Sequence, residues 1–330
     1  MGNIITKYVT NVHIVIDLNR RGAKMKDYLN IINDKYPVRK SKTEKKQFQD
    51  YVLGEFSDED YQVKVEELDK KHQNIVIGNI EEARVIFTAH YDTPAASLFP
   101  NLMMPRNPFL VYLYQFGYAF GMALISFLVS IGIVNLFKGP YELTIALYLV
   151  LYLCSFMLMT RVFPNKHNKN DNTSGVATVL SLLNKKYCDK VAFILFDNEE
   201  KGLLGSKAFN KKYSSILNQK LVINLDCVGN GDHILFISKQ EATKIDLHRV
   251  LQDKVQSNDK YQVHFYPLKG SCGNSDHKNF KCGVGVMACH KKKIVGFYTS
   301  KIHTKKDTIA SFDNIEFITT ELSKFIDYIL

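Results

Sequence analysis

The chain has 330 residues, 46% hydrophobic and 23% charged, which excludes a disordered chain and leaves room for one large α/β domain or two modest ones. Its formal net charge of +10 is spread over many lysine-bearing segments. The densest run, Arg39 to Lys46, has no interleaved aromatic residues, so it reads as a solvated helix face and nucleic-acid binding is not expected.

The N-terminal stretch MGNIITKYVTNVHIVIDLNRR lacks the long apolar region of a signal peptide, and its loose myristoylation pattern at Gly2 and Thr6 is too short to set against chance. Residues 24–56 read as one or two charged helices broken by Pro37, with an apolar stripe of Tyr51, Val52 and Phe56. Three strands follow, in YQVKVEEL from Tyr61, NIVIGNI from Asn74 and ARVIFTA from Ala83, each alternating or rich in β-branched residues. The last of them delivers His90 and Asp92.

From Phe109 to Phe137 no charged residue occurs. At about 1.5 Å per residue this run makes a helix of about 43 Å, longer than a bilayer core requires. Lys138, Gly139 and Pro140 interrupt it, and a second apolar segment runs from about Leu143 to Met159. The expectation is a transmembrane helical hairpin (about 109–137 and 141–160) inserted at 106–161 between two parts of one catalytic domain, 1–92 and 162–330. Arg106 precedes the hairpin, Arg161, Lys166 and Lys169 follow it, and its tip carries only Lys138, close to Glu142. This asymmetry predicts a two-pass protein of the cell membrane, in contact with lipid through 109–160, with the catalytic domain on the cytoplasmic side. Beyond the hairpin, SGVATVLSLL reads as a helix and VAFILF, LVINL, HILFIS, QVHFY and VGVMAC as strands, before an amphipathic helix from Asn314 to Leu330. The fold expected is α/β: a mixed, mostly parallel sheet of about eight strands with helices on both faces.

Metal-ligating residue types recur where these strands end or a helix opens. They are His90 and Asp92 after ARVIFTA, Asp171 in NDNTSGVA, Glu199 and Glu200 after VAFILF, and Asp226 after LVINL, with His303 in IHTKKDT. Two residues apart on an extended chain, His90 and Asp92 point the same way, so Asp92 can orient a metal-binding His90. Asp171 can offer one oxygen to each of two cations. At a turn, one of Glu199 and Glu200 can bind metal while the other holds a water. Each pair alone is common on protein surfaces, whereas the ordered set is not. The six cysteines contain no CxxC pair and fit a reducing compartment.

The series His90-Tyr91-Asp92, DNTSGVA, NEE, NLDCVG and IHTKKDT resembles the metallopeptidase family that includes the bacterial leucyl aminopeptidases and glutamate carboxypeptidase, peptidase family M28. The resemblance covers residues from about 60 to 330 apart from the hairpin, and it implies a zinc-peptidase/phosphorylase-hydrolase-like fold. It implies two zinc ions (cobalt or manganese being compatible with the same ligands), one on His90, Asp171 and Glu200 and one on Asp171, Asp226 and His303. It further implies Glu199 as the general base that activates a water, Asp92 as support for His90, and structural roles for Asp307 and the Ser275–His277 segment. The activity implied is hydrolysis of a peptide or small amide substrate, most simply as an aminopeptidase. A glutaminyl-cyclase-like acyl transfer and a catalytically inactive membrane scaffold of the same fold remain as alternatives. Tyr298 is weighed as an oxyanion donor, and Cys227 as a buried thiol. Cleavage specificity, native metal and oligomeric state are not legible in the residues.

Overall fold

A computed structural model describes residues 26–56, 62–97, 101–157, 163–183 and 189–330. The myristoylation pattern at Gly2 and Thr6, the flanking Arg161 and Cys188 lie outside the described residues.

The sheet grows from runs with no polar face. Strands β3 (Val85–His90), β5 (Val191–Phe196) and β6 (Leu221–Leu225) are buried at every position, as strands covered on both faces must be. They form a parallel centre, β5-β3-β6, extended in the same sense by β9 (Gly283–Lys292). On one flank β2 (His72–Ile77) and β1 (Val63–Leu68) add antiparallel. On the other, β9 pairs antiparallel with β7 (His233–Ser238) and, further along, with β10 (Gly296–Ile302). Strand β8 (Gln262–Pro267) lies parallel to β7, and the short β4 (Asn101–Met103) lies antiparallel to β10. The described residues thus make one mixed sheet of ten strands, two more than the residue pattern suggested. The additions are β4 and β10, whose residues carry no clean alternation.

Side chains alternate across the sheet. Val85, Phe87, Ala89, Phe193, Leu195 and Ile223 enter the larger core. It is completed by α1 (Tyr28–Lys35), α2 (Lys42–Phe56), α5 (Gly175–Leu183), α7 (Asp246–Lys254) and the amphipathic α8 (Phe312–Ile329). Ile86, Ala192, Ile194 and Val222 face the opposite way, against Phe209 and Leu217 of α6 (Leu204–Leu217). Gly205 opens that helix where any Cβ would sit 2.1 Å from the Asp197 carbonyl oxygen, so only glycine lets α6 start against the end of β5.

Between β4 and α5 stand α3 (Pro108–Leu136) and α4 (Glu142–Met157). They pack on each other, with Phe127 edge-on to Tyr148. Among the described residues α3 is the one helix long and apolar enough to cross a membrane; α4 is apolar but shorter. Asn107 caps α3 by accepting from the Leu110 amide, and Pro108 occupies its first turn, both ordinary helix-opening devices. The chain leaves and returns at one place. Ala95 bridges Pro164 antiparallel, the Ala96 amide donates to Phe163 and the Asn165 amide donates to Pro94.

The run Arg39–Lys46 corrects its reading as a solvated face. Arg39 and Lys45 are buried. Arg39 donates to the carbonyls of Tyr91 and Tyr36 and to Thr173 Oγ1. Lys45 pairs with Asp197 and donates to Asn198. Both cations sit beneath the ends of β3 and β5, where they find partners that repay burial; only docking of α2 on the sheet puts them there.

Candidate metal centre

His90 is the last residue of β3, and its ring is buried. Its Nε2 lies 3.3 Å from Asp171 Oδ1, 3.8 Å from Asp226 Oδ1 and 3.9 Å from Glu199 Oε2. His303, just beyond β10, places Nε2 2.9 Å from Asp171 Oδ2 and 3.5 Å from Glu200 Oε2. Five separate stretches of chain therefore meet, and Asp171 presents one carboxylate oxygen to each histidine.

The grouping departs from the implied one. His90, Asp171 and Asp226 form one set of mutually close ligand atoms, and Asp171, Glu200 and His303 form another. His90, Glu199 and Glu200 form a third. Among the described residues no such set joins Asp226 to His303. Strand-end position leaves this open, because β3 has β5 on one side and β6 on the other; side-chain direction decides it.

Local structure explains how each acid arrives. Asp171 lies in the turn that opens α5, and Asp307 holds it there by accepting the Asn170 and Asp171 amides. Asn172 ties the same turn to the end of β6, donating to the Leu225 carbonyl and accepting from the Gly175 and Cys227 amides. Asp226 is braced by Ser275, which donates to its Oδ2 and accepts from Asn224, itself bonded to Thr88. His90 Nδ1 is 3.1 Å from the Asp92 backbone oxygen and 3.6 Å from its carboxylate Oδ1, and the same carboxylate accepts the Glu199 and Glu200 amides. Asp92 thus lies against the His90 ring and also pins the Glu-Glu turn with its side chain. Asn198, Cys227 and His303 all have positive φ, 54°, 58° and 59°, a strained backbone of the kind concentrated at functional sites.

Burial sets the electrostatics. It pushes Glu199 well above the usual carboxylate range, with Glu200, Asp276 and Asp226 adding to the push against the pull of His90. Burial likewise takes Glu200 to about 8, against the neighbouring His303. Burial opposes charge on Asp171, yet His303 and His90 hold it well below its ordinary value. For His303, burial favours the neutral ring, but Glu200 and Asp171 raise it to about 10. Acids crowded this closely want a cation among them.

A cavity of about 530 Å³ contains the cluster and is lined by His90, Asp171, Glu199, Glu200, Asp226 and His303. Cys227 lines it as a buried free thiol. Tyr298 does not; its ring sits against His290 on the sheet. The residue pattern missed Arg39, Lys45, Thr88 and Asn224, which carry no motif of their own. Asp307 and Ser275 were marked by their proximity to His303 and by the SDH segment.

Residues 164–321 match the model of peptidase family M28. Among solved structures, the Legionella pneumophila LapA aminopeptidase aligns with a TM-score of 0.55 at 13% identity, covering 96% of this chain and 72% of that one. LapB from Legionella pneumophila aligns with a TM-score of 0.56 at 14% identity, covering 94% and 73%. At such identities the likeness establishes the fold. Among curated proteins none matches the chain. The matched segment, just under half of the chain, carries Asp171, Glu199, Glu200, Asp226 and His303, and the sheet adds His90 to them; over that segment the chain is similar to peptidase family M28, and with this cluster it is a metallopeptidase.

Proposed function

We propose that the chain is an aminopeptidase working with two zinc ions, one held by His90, Asp171 and Asp226 and the other by Asp171, Glu200 and His303. The observation that carries this reading is Asp171 turning one oxygen toward each histidine, at 3.3 Å and 2.9 Å. The residues fit such cations. Glu200 Oε1 is buried without a hydrogen-bond partner, an expensive state for a carboxylate oxygen unless a cation completes it. The donor set of imidazoles and carboxylates is the one zinc takes.

Bound zinc supplies Lewis acidity and a coordinated water whose pKa falls toward neutrality. The protein moves the protons. Glu199, raised by burial, accepts the proton of the attacking water and returns it to the leaving amine nitrogen. Asp92 holds the Glu199 amide, so the base stays aimed while its neighbour Glu200 serves as ligand. Ser275 and Asp307 fix the two aspartates and leave no slack in the site.

The apolar helix α3, with α4 beside it, anchors this domain to a membrane. Basic residues flank the pair at Arg106, Lys166 and Lys169, which supports a two-pass arrangement with the catalytic domain on the cytoplasmic side. Metal analysis of the detergent-purified chain, combined with hydrolysis of aminoacyl and dipeptide amides before and after chelation, tests the reading. Two zinc per chain and chelator-sensitive release of free amino acid are expected. One zinc with cyclisation of N-terminal glutamine peptides in place of hydrolysis would overturn it.

A further inference from the structure

Helix α3 has 29 residues, whereas a bilayer core takes about 20. With the helix upright in the membrane anchoring proposed above, the surplus of roughly nine residues, about two and a half turns, extends beyond the hydrocarbon. Those turns begin beside the metal centre. Val111, Tyr112 and Gln115 line the same cavity as the six candidate metal-site residues. Other side chains of these turns face outward: Phe109 and Phe116 are 72% and 70% exposed. Tyr112, 66% exposed, supplies an amphipathic ring of the kind enriched at the headgroup layer of a membrane.

The base of α3 is held in place. Arg106 donates to Ser271 Oγ at 2.7 Å and lies over the Tyr266 ring. The Cys272 amide donates to the Pro105 carbonyl. Asn101 of β4 pairs with Ile302, the residue before His303. One short stretch of helix is thus both the cavity wall and the start of the membrane face. Met103, Val111 and Ile302 give that wall an apolar side, next to the polar groups of Asn101, Tyr112 and Gln115.

We infer that the substrate is an amide carrying one long alkyl chain, whose scissile bond sits at headgroup depth while the chain lies along the first turns of α3. This rests on the hydrolytic reading above and adds the substrate class. The reaction places water across the C–N bond, so that the carboxylate product and the protonated alkylamine leave separately. A short soluble peptide has no use for an apolar wall continuous with a membrane anchor.

The test uses the full chain, zinc-loaded, in phosphatidylcholine vesicles, with leucine N-alkylamides of two to twelve carbons. Each methylene buried along the wall can raise kcat/KM by up to about fourfold, so a rise of at least tenfold across the series is expected. Val111→Arg should flatten that rise, and Gln115→Arg provides the same reading if the first variant fails to fold. Independently of turnover, a dodecylamide with a terminal diazirine should label residues 108–120 of the Glu199→Gln protein. A flat series with the short amide turned over, or labelling elsewhere, overturns the inference and leaves the metallopeptidase reading standing. Failure of the zinc-loaded wild type to cleave any amide overturns both.

Discussion

Glu199 and Glu200 are neighbours in sequence, yet the turn after β5 points one at His90, with Oε2 3.9 Å from its Nε2, and the other at His303, with Oε2 3.5 Å from its Nε2. Their amides share one acceptor, Asp92. Glu199→Gln keeps that amide and the shape of the side chain but loses the base of the proposed mechanism. Turnover is expected to fall by about 10²- to 10⁴-fold with zinc content unchanged, measured by steady-state kinetics and metal analysis on the same preparation. Near-normal activity would remove Glu199 from the proton path. His277 provides a second prediction at this scale. Both its ring nitrogens are buried without hydrogen-bond partners among the described residues, and burial lowers its pKa from 6.5 to about 4. The folded protein refuses a proton that the unfolded chain accepts, so this group's contribution is fully present above about pH 6.5 and is lost as pH falls toward 4. Between pH 7.5 and pH 5 the wild type should lose about 2 kcal/mol more unfolding free energy than His277→Asn. Equal losses in urea titrations would contradict the buried neutral ring.

At the scale of elements, the site is carried by a parallel strand centre and braced from beneath by α2. Lys45 reaches from that helix to Asp197 and Asn198, directly ahead of Glu199. Both members of the ion pair are buried. Lys45→Met leaves the Asp197 carboxylate without its cation, and removing one partner of a buried pair costs about 3–5 kcal/mol. A lowered thermal midpoint with reduced zinc retention is expected, and a variant as stable as the wild type would show the pair to be dispensable. The same element shows why its residues misled. A lysine-rich helix looks solvated in one dimension, because nothing local distinguishes a lysine facing water from one meeting a strand end.

On the scale of the whole molecule, the insertion is a closed excursion. Its two ends are joined by the Ala95–Pro164 bridge and the hydrogen bonds around it, so His90 before it and Asp171 after it reach one site. Replacing residues 98–162 with a short Gly-Ser turn should therefore give a domain that stays soluble without detergent and still binds zinc. Size-exclusion chromatography and metal analysis check this; aggregation or loss of metal would show that α3 and α4 are needed for folding. The excised domain lacks the cavity wall of α3, so its activity is not expected to match that of the full chain.

The amino-acid sequence by itself determined what is local. The β-branched runs specified the central strands, the charge-free run specified a long apolar helix, and the acids and imidazoles at strand ends specified a metal-binding chemistry. Tertiary structure decided which candidate ligands lie close together, that the Asp92 carboxylate holds the Glu199 and Glu200 amides, that Arg39 and Lys45 are interior, and that α3 forms part of the cavity. The division has one cause. Periodicity and composition act over neighbouring residues, whereas these four outcomes depend on strand order and side-chain direction, which exist only once distant segments have packed.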